Sequence, residues 1–240
     1  MEIRSEYVEL KVNDGTTMKA WIARPKEEGL HPGLLVFQEA FGVNAHIRDI
    51  AGRFAREGFV AVAPELFHRT GAGFDGRYDD FPSVVPHMKA LNDSSMAADQ
   101  RAAYDWLRGA IGPQSPISAI GYCMGGRAAF LAAITLPLAA AISYYGGGIA
   151  PNTSNPGLLG RVSGIQSPLL LFWGGRDKHI PPEQVRAVTD ALRGAGKNFV
   201  NVEISNADHA FFCDARPSYS PSAALLAWPL TLAFLRARST

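Results

Sequence analysis

Short apolar runs alternate with helix-like stretches along this chain. Five runs are almost wholly apolar, which is typical of strands buried on both faces: 33–39, 59–65, 117–122, 139–146 and 168–174. The helix-like stretches are 45–57, 93–109, 124–135, 182–195 and about 221–236. Ahead of them, EYVELKV and MKAWIARP flank the turn NDGTT and predict a hairpin at the start of the sheet. The pattern predicts an α/β fold whose mostly parallel central sheet carries helices on both faces.

Two segments do not follow this alternation. Residues 66–90 are rich in Gly, Pro and Asp, and residues 147–165 in Gly, Pro, Asn and Ser. We expect both to be long loops over one end of the sheet, and long loops in a compact domain are often functional. No repeat, low-complexity tract or linker divides the chain, so 240 residues predict a single domain over 1–240.

Composition excludes several kinds of partner. The formal charge of +1 comes with interspersed acids and bases, so nucleic acid is not an expected partner. The longest apolar run, 128–143, is shorter than the roughly 20 residues that a bilayer requires and contains Pro137, so no membrane association is expected. The first residues lack a signal-peptide core, and the two cysteines form no Cys-x-x-Cys pair. These features favour a reducing, cytoplasmic setting.

The stretch GYCMG, Gly121 to Gly125, has the Gly-x-nucleophile-x-Gly form of a nucleophile elbow. An apolar strand precedes it and a strong helix former follows it, as an elbow requires. The N-terminus of that helix would lower the pKa of the Cys123 thiol and offer N–H groups to an oxyanion. The alternative is that Cys123 is an inert, buried small residue.

An acid and a histidine follow the cysteine in the chain order of α/β-hydrolases. Asp177 comes just beyond the run 168–174, and His209 follows the strand-like VNVEIS. His209 would act as the base toward Cys123, and Asp177 would fix the tautomer of its ring. The alternatives are a turn or helix-capping acid for Asp177 and a surface histidine for His209. His179 is the rival base, although its place before IPP suits a loop.

Five blocks in this order resemble the dienelactone hydrolase family of thiol-dependent α/β-hydrolases: QEAFGVN (38–44), GYCMGG (121–126), YYG (144–146), GGRDKHIP (174–181) and DHAFF (208–212). The resemblance implies the α/β-hydrolase fold and a triad of Cys123, Asp177 and His209. It also implies that Glu39 contacts the resting thiol, whereas the alternative is a loop acid that caps the next helix.

The resemblance also suggests groups around the reacting carbonyl. The oxyanion would be held by the backbone N–H groups of Met124 and Ala40. Tyr145 matches a pocket tyrosine of the family, although it could equally cover the end of the sheet. No metal or organic cofactor is implied, and His31, His46, His68 and His87 show no ligand spacing.

One position departs from the family pattern. Members that cleave dienelactone hold its carboxylate with two arginines, one of them four residues after the catalytic histidine, where this chain has Cys213. The candidates for replacing these arginines are Arg69, Arg77 and Arg216, each of which could also be a solvated loop charge. Activity on dienelactone itself is therefore not expected, whereas ester or lactone hydrolysis is.

The predicted function is hydrolysis of a small-molecule ester or lactone through an acyl-cysteine intermediate. Two alternatives use the same fold: a non-catalytic ligand-binding protein, and a redox protein in which Cys123 and Cys213 form a reversible bridge. The stretch GAGFDG, 71–76, matches a dinucleotide-binding pattern by letter only, because no strand directly precedes it and no helix-forming sequence follows it. The sequence does not determine the oligomeric state.

Overall fold

The computed structural model describes residues 1–153 and 155–238. Within it the chain forms two compact units, one covering Met1–Ser118 and the other running from Ala119 to the C-terminus. The single domain expected from the sequence stays a prediction.

The first unit is built on four strands: β1 (Ile3–Lys11), β2 (Thr17–Pro25), β3 (Gly33–Phe37) and β4 (Val60–Pro64). They are arranged in the order β1-β2-β4-β3. The first two form the predicted hairpin, with Ile3 opposite Pro25 and Lys11 opposite Thr17. The β2–β4 pair is antiparallel and the β3–β4 pair is parallel. All residues of β3 and β4 are buried, which explains why their sequences are continuously apolar.

Four helices accompany these strands: α1 (Ala45–Arg56), α2 (His68–Gly71), α3 (Phe81–Ala90) and α4 (Asp93–Ile111). Helix α1 begins where the side chain of Asn44 accepts a hydrogen bond from the N–H of Ile47. Helix α4 begins with a capping box between Asn92 and Ser95. Both long helices pack against β4, which places their apolar faces on the core of the unit.

Much of the segment 66–90 is helical and not the long loop that the sequence predicted. Helix α3 accommodates Pro82 because Pro82 lies in the first turn, where a backbone N–H has no helical partner to lose. Pro86 lies inside the helix, where it removes one backbone hydrogen bond. The side chain of Asp80 caps this helix by accepting from the N–H of Ser83. Val84 is fully buried in a cluster with Ala40 and Phe41, so tertiary packing stabilises a helix that local propensity does not favour.

The second unit contains four parallel strands: β5 (Ile117–Tyr122), which starts at the end of the first unit, β6 (Ala141–Tyr144), β7 (Leu169–Gly174) and β8 (Phe199–Ile204). They pair in the order β5-β6-β7-β8. Helices α5 (Met124–Thr135) and α7 (Pro221–Arg236) pack on β6 and β7, respectively. The remaining helix is α6 (Pro182–Gly194). A short 3₁₀ helix, Leu159–Gly164, interrupts the segment 147–165 that the sequence predicted as loop.

The parallel arrangement decides where the candidate residues of this unit lie. Cys123 follows β5, Tyr145 follows β6, and Asp177 and His209 come after β7 and β8. The carboxyl ends of parallel strands meet at one edge of a sheet, which is where α/β proteins place their ligands.

No helix within the described residues has the length and apolar character that crossing a membrane requires.

Candidate active site

Cys123 occupies a strained turn between β5 and α5. Its φ of 55° lies in the left-handed region, which costs a residue with a side chain on the order of 1–3 kcal/mol. The N–H of Cys123 donates to the carbonyl of Tyr144 at 3.0 Å, so the strand ladder to β6 continues up to the turn. The Cys123 side chain is partly exposed, whereas both neighbours on the strand side, Gly121 and Tyr122, are buried. This is the geometry of a nucleophile elbow.

Two glycines of GYCMGG permit this turn. A Cβ on Gly121 would overlap the carbonyl oxygen of Gly125 in the first turn of α5. A Cβ on Gly126 would lie 2.6 Å from the carbonyl oxygen of Tyr144 and 2.8 Å from the Cα of Gly146. The helix can therefore begin directly above the strand ends only because both positions lack a side chain.

Asp177 is fixed by the turn that follows β7. Its Oδ1 accepts hydrogen bonds from the backbone N–H groups of His179 at 2.8 Å and Ile180 at 3.2 Å. Its Oδ2 accepts from Nδ1 of His209 at 2.7 Å, and the Asp177 side chain is 1% exposed. The carboxylate is thus oriented by its own loop before it contacts the histidine.

His209 contacts both of the other candidate side chains. Its Nδ1 donates to Asp177, and the thiol of Cys123 forms a second hydrogen bond with the ring. Because Nδ1 is occupied, Nε2 is the nitrogen that remains for the thiol. Burial lowers the pKa of His209, but the hydrogen bonds with Asp177 and Cys123 and the charges of both outweigh it and raise the pKa to about 10. The raised pKa makes the ring a stronger acceptor for a proton.

The N-terminus of α5 lies directly after Cys123. Met124 is the first residue of this helix, and the first N–H groups of a helix have no partner within it. The helix dipole adds partial positive charge at the same end. The N–H of Met124 can therefore donate to an oxygen that becomes negative next to the Cys123 sulfur.

Two further rings pack on His209. The ring of Tyr145 lies 5.1 Å from it between centroids, and that of His179 lies 5.1 Å away in an edge arrangement. Tyr145 is fully buried and has a φ of 40°, whereas His179 is exposed. The carboxylate of Asp177 is hydrogen-bonded to the ring of His209 and only to the backbone of His179, which favours His209 as the base.

Glu39 and Ala40 follow β3 in the first unit, and both are buried. The hydroxyl of Tyr78 donates to Oε2 of Glu39 at 3.3 Å and accepts from Nδ2 of Asn44 at 3.0 Å. Asn44 caps α1, so the alternative in which Glu39 caps that helix is not what the structure shows. Tyr78 was not found from the sequence, because it lies in the segment 66–90 that lacked any recognised pattern. The roles of Glu39 and Ala40 toward substrate stay predictions.

The candidate arginines have different environments. Arg69 donates to both carboxylate oxygens of Asp99 at 2.8 Å and to Oδ2 of Asp14. Arg77 is exposed and pairs with Asp79. Arg216 is half-buried in the second unit, and Cys213 is fully buried. Arg69 could bind a substrate carboxylate only by releasing Asp14 or Asp99, so its contacts favour a structural role. A substrate role for any of the three arginines stays a prediction.

Comparison with known proteins adds to this geometry. The pattern that defines the group described as "Dienelactone hydrolase family" matches residues 18–239. A "Putative carboxymethylenebutenolidase" of Synechocystis is 34% identical over 225 residues, 90% of each chain, and one of Escherichia coli K12 is 35% identical over 93% of this chain and 84% of its own.

A solved structure supports the fold assignment. The crystal structure of a "Putative Dienelactone Hydrolase" from Klebsiella pneumoniae superimposes with a TM-score of 0.89 at 33% identity, covering 97% of this chain and 98% of that one. The α/β-hydrolase fold expected from the sequence is thereby confirmed, with mostly parallel strands and flanking helices.

Proposed function

The chain belongs to the dienelactone hydrolase family, and from that membership we propose that it is a thiol-dependent hydrolase of small esters or lactones. The observation that carries the proposal is the hydrogen-bonded series Cys123–His209–Asp177 at the strained turn before α5. A thiol next to a base that a carboxylate orients is the arrangement that nucleophilic catalysis requires.

The proposed reaction begins with proton transfer from the Cys123 thiol to Nε2 of His209. The thiolate sulfur then forms a bond to the substrate carbonyl carbon, and the carbonyl oxygen becomes an oxyanion that the N–H of Met124 stabilises. The oxyanion collapses, the C–O bond to the leaving group breaks, and His209 returns its proton to the departing alkoxide. The product of this half is a thioester on Cys123 and a free alcohol, which stays tethered when the substrate is a lactone.

Water completes the cycle. His209, now neutral, takes a proton from a water molecule that attacks the thioester carbonyl, and the C–S bond breaks to release the carboxylic acid. His209 then transfers this proton to the Cys123 thiolate, which restores the thiol and the neutral imidazole. Asp177 holds Nδ1–H throughout, so that Nε2 faces the reaction in both halves.

The test uses the chain's second cysteine as a matched control. Hydrolysis of p-nitrophenyl esters and of small neutral lactones is measured for the wild type, Cys123→Ala and Cys213→Ala. We expect Cys123→Ala to be folded and to lose at least about 10³-fold in kcat/KM. Cys213→Ala should keep most of its activity, and mass spectrometry of quenched wild type should show the acyl group on the peptide that contains Cys123.

Three results would redirect the proposal. Hydrolysis that survives in Cys123→Ala would remove Cys123 as nucleophile. A folded wild type without turnover on any ester or lactone would favour the ligand-binding alternative. A loss of two free thiols after mild peroxide treatment, without turnover, would favour the redox alternative.

We further propose that the enzyme hydrolyses neutral esters or lactones at least as well as anionic ones, with any remaining preference for anions coming from Arg69, Arg77 or Arg216. Cys213 stands where dienelactone-cleaving members carry an arginine, and Arg69 is already engaged by Asp14 and Asp99. A charge-assisted hydrogen bond to a carboxylate is worth about 1.5–3 kcal/mol, which is roughly ten-fold or more in specificity. The test compares kcat/KM for a lactone acid and its methyl amide. A preference of 100-fold or more for the acid contradicts the proposal, and otherwise Cys213→Arg should raise the preference for the acid.

A further inference from the structure

The segment after β6 folds into a tight structure beside the candidate active site. Tyr145 and Gly148 have positive φ values of 40° and 74°. The N–H of Tyr145 donates to the carbonyl of Phe172 at 2.8 Å, and the N–H of Leu158 donates back to the carbonyl of Ile149 at 2.8 Å. The first turn of the segment therefore holds Tyr145 in a conformation that a residue with a side chain avoids.

This first turn, residues 145–148, lies against the start of α5. A Cβ on Gly146 would be 2.8 Å from the carbonyl carbon of Gly126 and 2.9 Å from the backbone nitrogen of Arg127. The two backbones therefore touch with no side chain between them. A change at this contact is transmitted directly to the helix that carries Cys123 at its N-cap.

Arg127 joins the two backbones by a hydrogen bond. It lies one helical turn after Cys123, and its own N–H donates to the carbonyl of Cys123 at 3.4 Å. Its Nε donates to the carbonyl of Gly148 at 3.0 Å, and the side chain is half-buried. A cationic donor on a backbone carbonyl is stronger than a neutral one. The reaction steps proposed above do not use this side chain.

The turn that Arg127 holds presents Tyr145 to His209. The Tyr145 ring is fully buried and packs on the imidazole at 5.1 Å between centroids. Because Tyr145 has a strained φ, release of the Gly148 carbonyl would allow the turn to relax and the ring to move away from His209.

We propose that Arg127 is a positioning residue for the hydrolase: its bond to Gly148 holds the 145–148 turn so that Tyr145 keeps His209 aligned with Cys123. The inference rests on the proposed function for its catalytic consequence. The positional part concerns only the Cys123–His209 pair and is measurable without turnover.

The primary experiment measures the rate of Cys123 alkylation by iodoacetamide against pH, on a Cys213→Ala background, so that one thiol reacts. Arg127→Met removes the donor but keeps a long side chain, and Arg127→Lys keeps charge and a donor. Arg186→Met, an exposed arginine on α6, is the matched control. We expect Arg127→Met to slow alkylation at pH 7 by about ten-fold, which is the loss of one charge-assisted hydrogen bond, with Arg127→Lys between it and the wild type. Arg186→Met should equal the wild type.

A double-mutant cycle identifies the route. If Arg127 acts through Tyr145, then Tyr145→Ala should slow alkylation similarly, and Arg127→Met combined with Tyr145→Ala should be no slower than the slower single variant. Where hydrolysis is found, the same variants should lower kcat more than they raise KM. Fully additive effects, or an unchanged alkylation profile in Arg127→Met, would overturn the proposal. If Arg127→Met does not fold, Arg127→Lys decides by the same profile.

The outcomes separate this inference from the proposed function. Coupled alkylation rates in a protein that hydrolyses nothing would support the positioning role and reject the hydrolase. Hydrolysis that requires Cys123 but is indifferent to Arg127 would do the opposite.

Discussion

Replacing Asp177 with Asn tests the side-chain geometry around His209 with the smallest change of shape. Oδ1 of Asp177 accepts two backbone N–H groups, from His179 and Ile180, and the amide oxygen of Asn can take over both. The amide nitrogen then faces Nδ1 of His209, which must accept a hydrogen bond where it previously donated one. The proton of the neutral ring moves to Nε2, and Nε2 can no longer take the proton of the thiol.

The size of the effect follows from the pKa of His209. That pKa rises from 6.5 to about 10 in the folded protein. At 1.36 kcal/mol per pKa unit, the net stabilisation of the charged ring is about 5 kcal/mol, and this is what remains after burial has opposed the contributions of Asp177 and Cys123. Burial opposes the charged ring and persists in the variant, so we expect Asp177→Asn to bring the pKa close to 6.5 or below. Replacing the triad aspartate of serine proteases with asparagine lowers kcat by about 10⁴-fold, and we expect Asp177→Asn to lower kcat by a factor of that order.

The pH dependence of stability gives a second measure. A raised pKa contributes stability that is fully present below the unfolded value of 6.5 and is lost as the pH rises through about 10. The free energy of unfolding of the wild type should therefore fall by a few kcal/mol across that window, and Asp177→Asn should show a much smaller slope. Urea unfolding at several pH values and NMR titration of the His209 ring make the measurement. A ring that still titrates near 10 in the variant would refute the reasoning.

Three further predictions concern other contacts. Gly126→Ala should lower the free energy of unfolding by about 1–3 kcal/mol, measured in urea, because its Cβ would lie 2.6 Å from the carbonyl oxygen of Tyr144. Gly160→Ala is the control, because a Cβ there meets open space, and equal effects of the two substitutions would contradict the close approach. Asp99→Asn should lower the free energy of unfolding by about 3–5 kcal/mol, because the Asp99 carboxylate is fully buried and accepts two hydrogen bonds from Arg69. The exposed Asp105 on the same helix provides the control Asp105→Asn, and an equal loss there would show that burial of Asp99 does not matter. His179→Ala should retain hydrolysis within about ten-fold while His209→Ala loses 10³-fold or more, and the reverse order would exchange the two histidines.

Local sequence determined the elements that are buried or sharply bounded. Strand β5 and helices α5 and α7 begin and end at the residues that the sequence predicted. In β5, every residue is buried and glycines bound the turn that follows, so the apolar sequence alone indicates that the strand is buried. The chain order of Cys123, Asp177 and His209 was likewise readable, because each follows a strand and parallel strands bring their ends to one edge.

The tertiary structure decided what local pattern does not encode. Helix α3 carries two prolines and gave no helical signal, yet burial of Val84 against Phe41 stabilises it. The sequence favoured His209 over His179, but the hydrogen bond between His209 and Asp177, which are 32 positions apart, is a contact that only the fold creates. Arg127 could not be distinguished from any solvated helix charge until the carbonyl of Gly148 was placed against it. Periodicity reports how much of a residue is buried, whereas such contacts depend on how separate elements pack, which only the folded chain fixes.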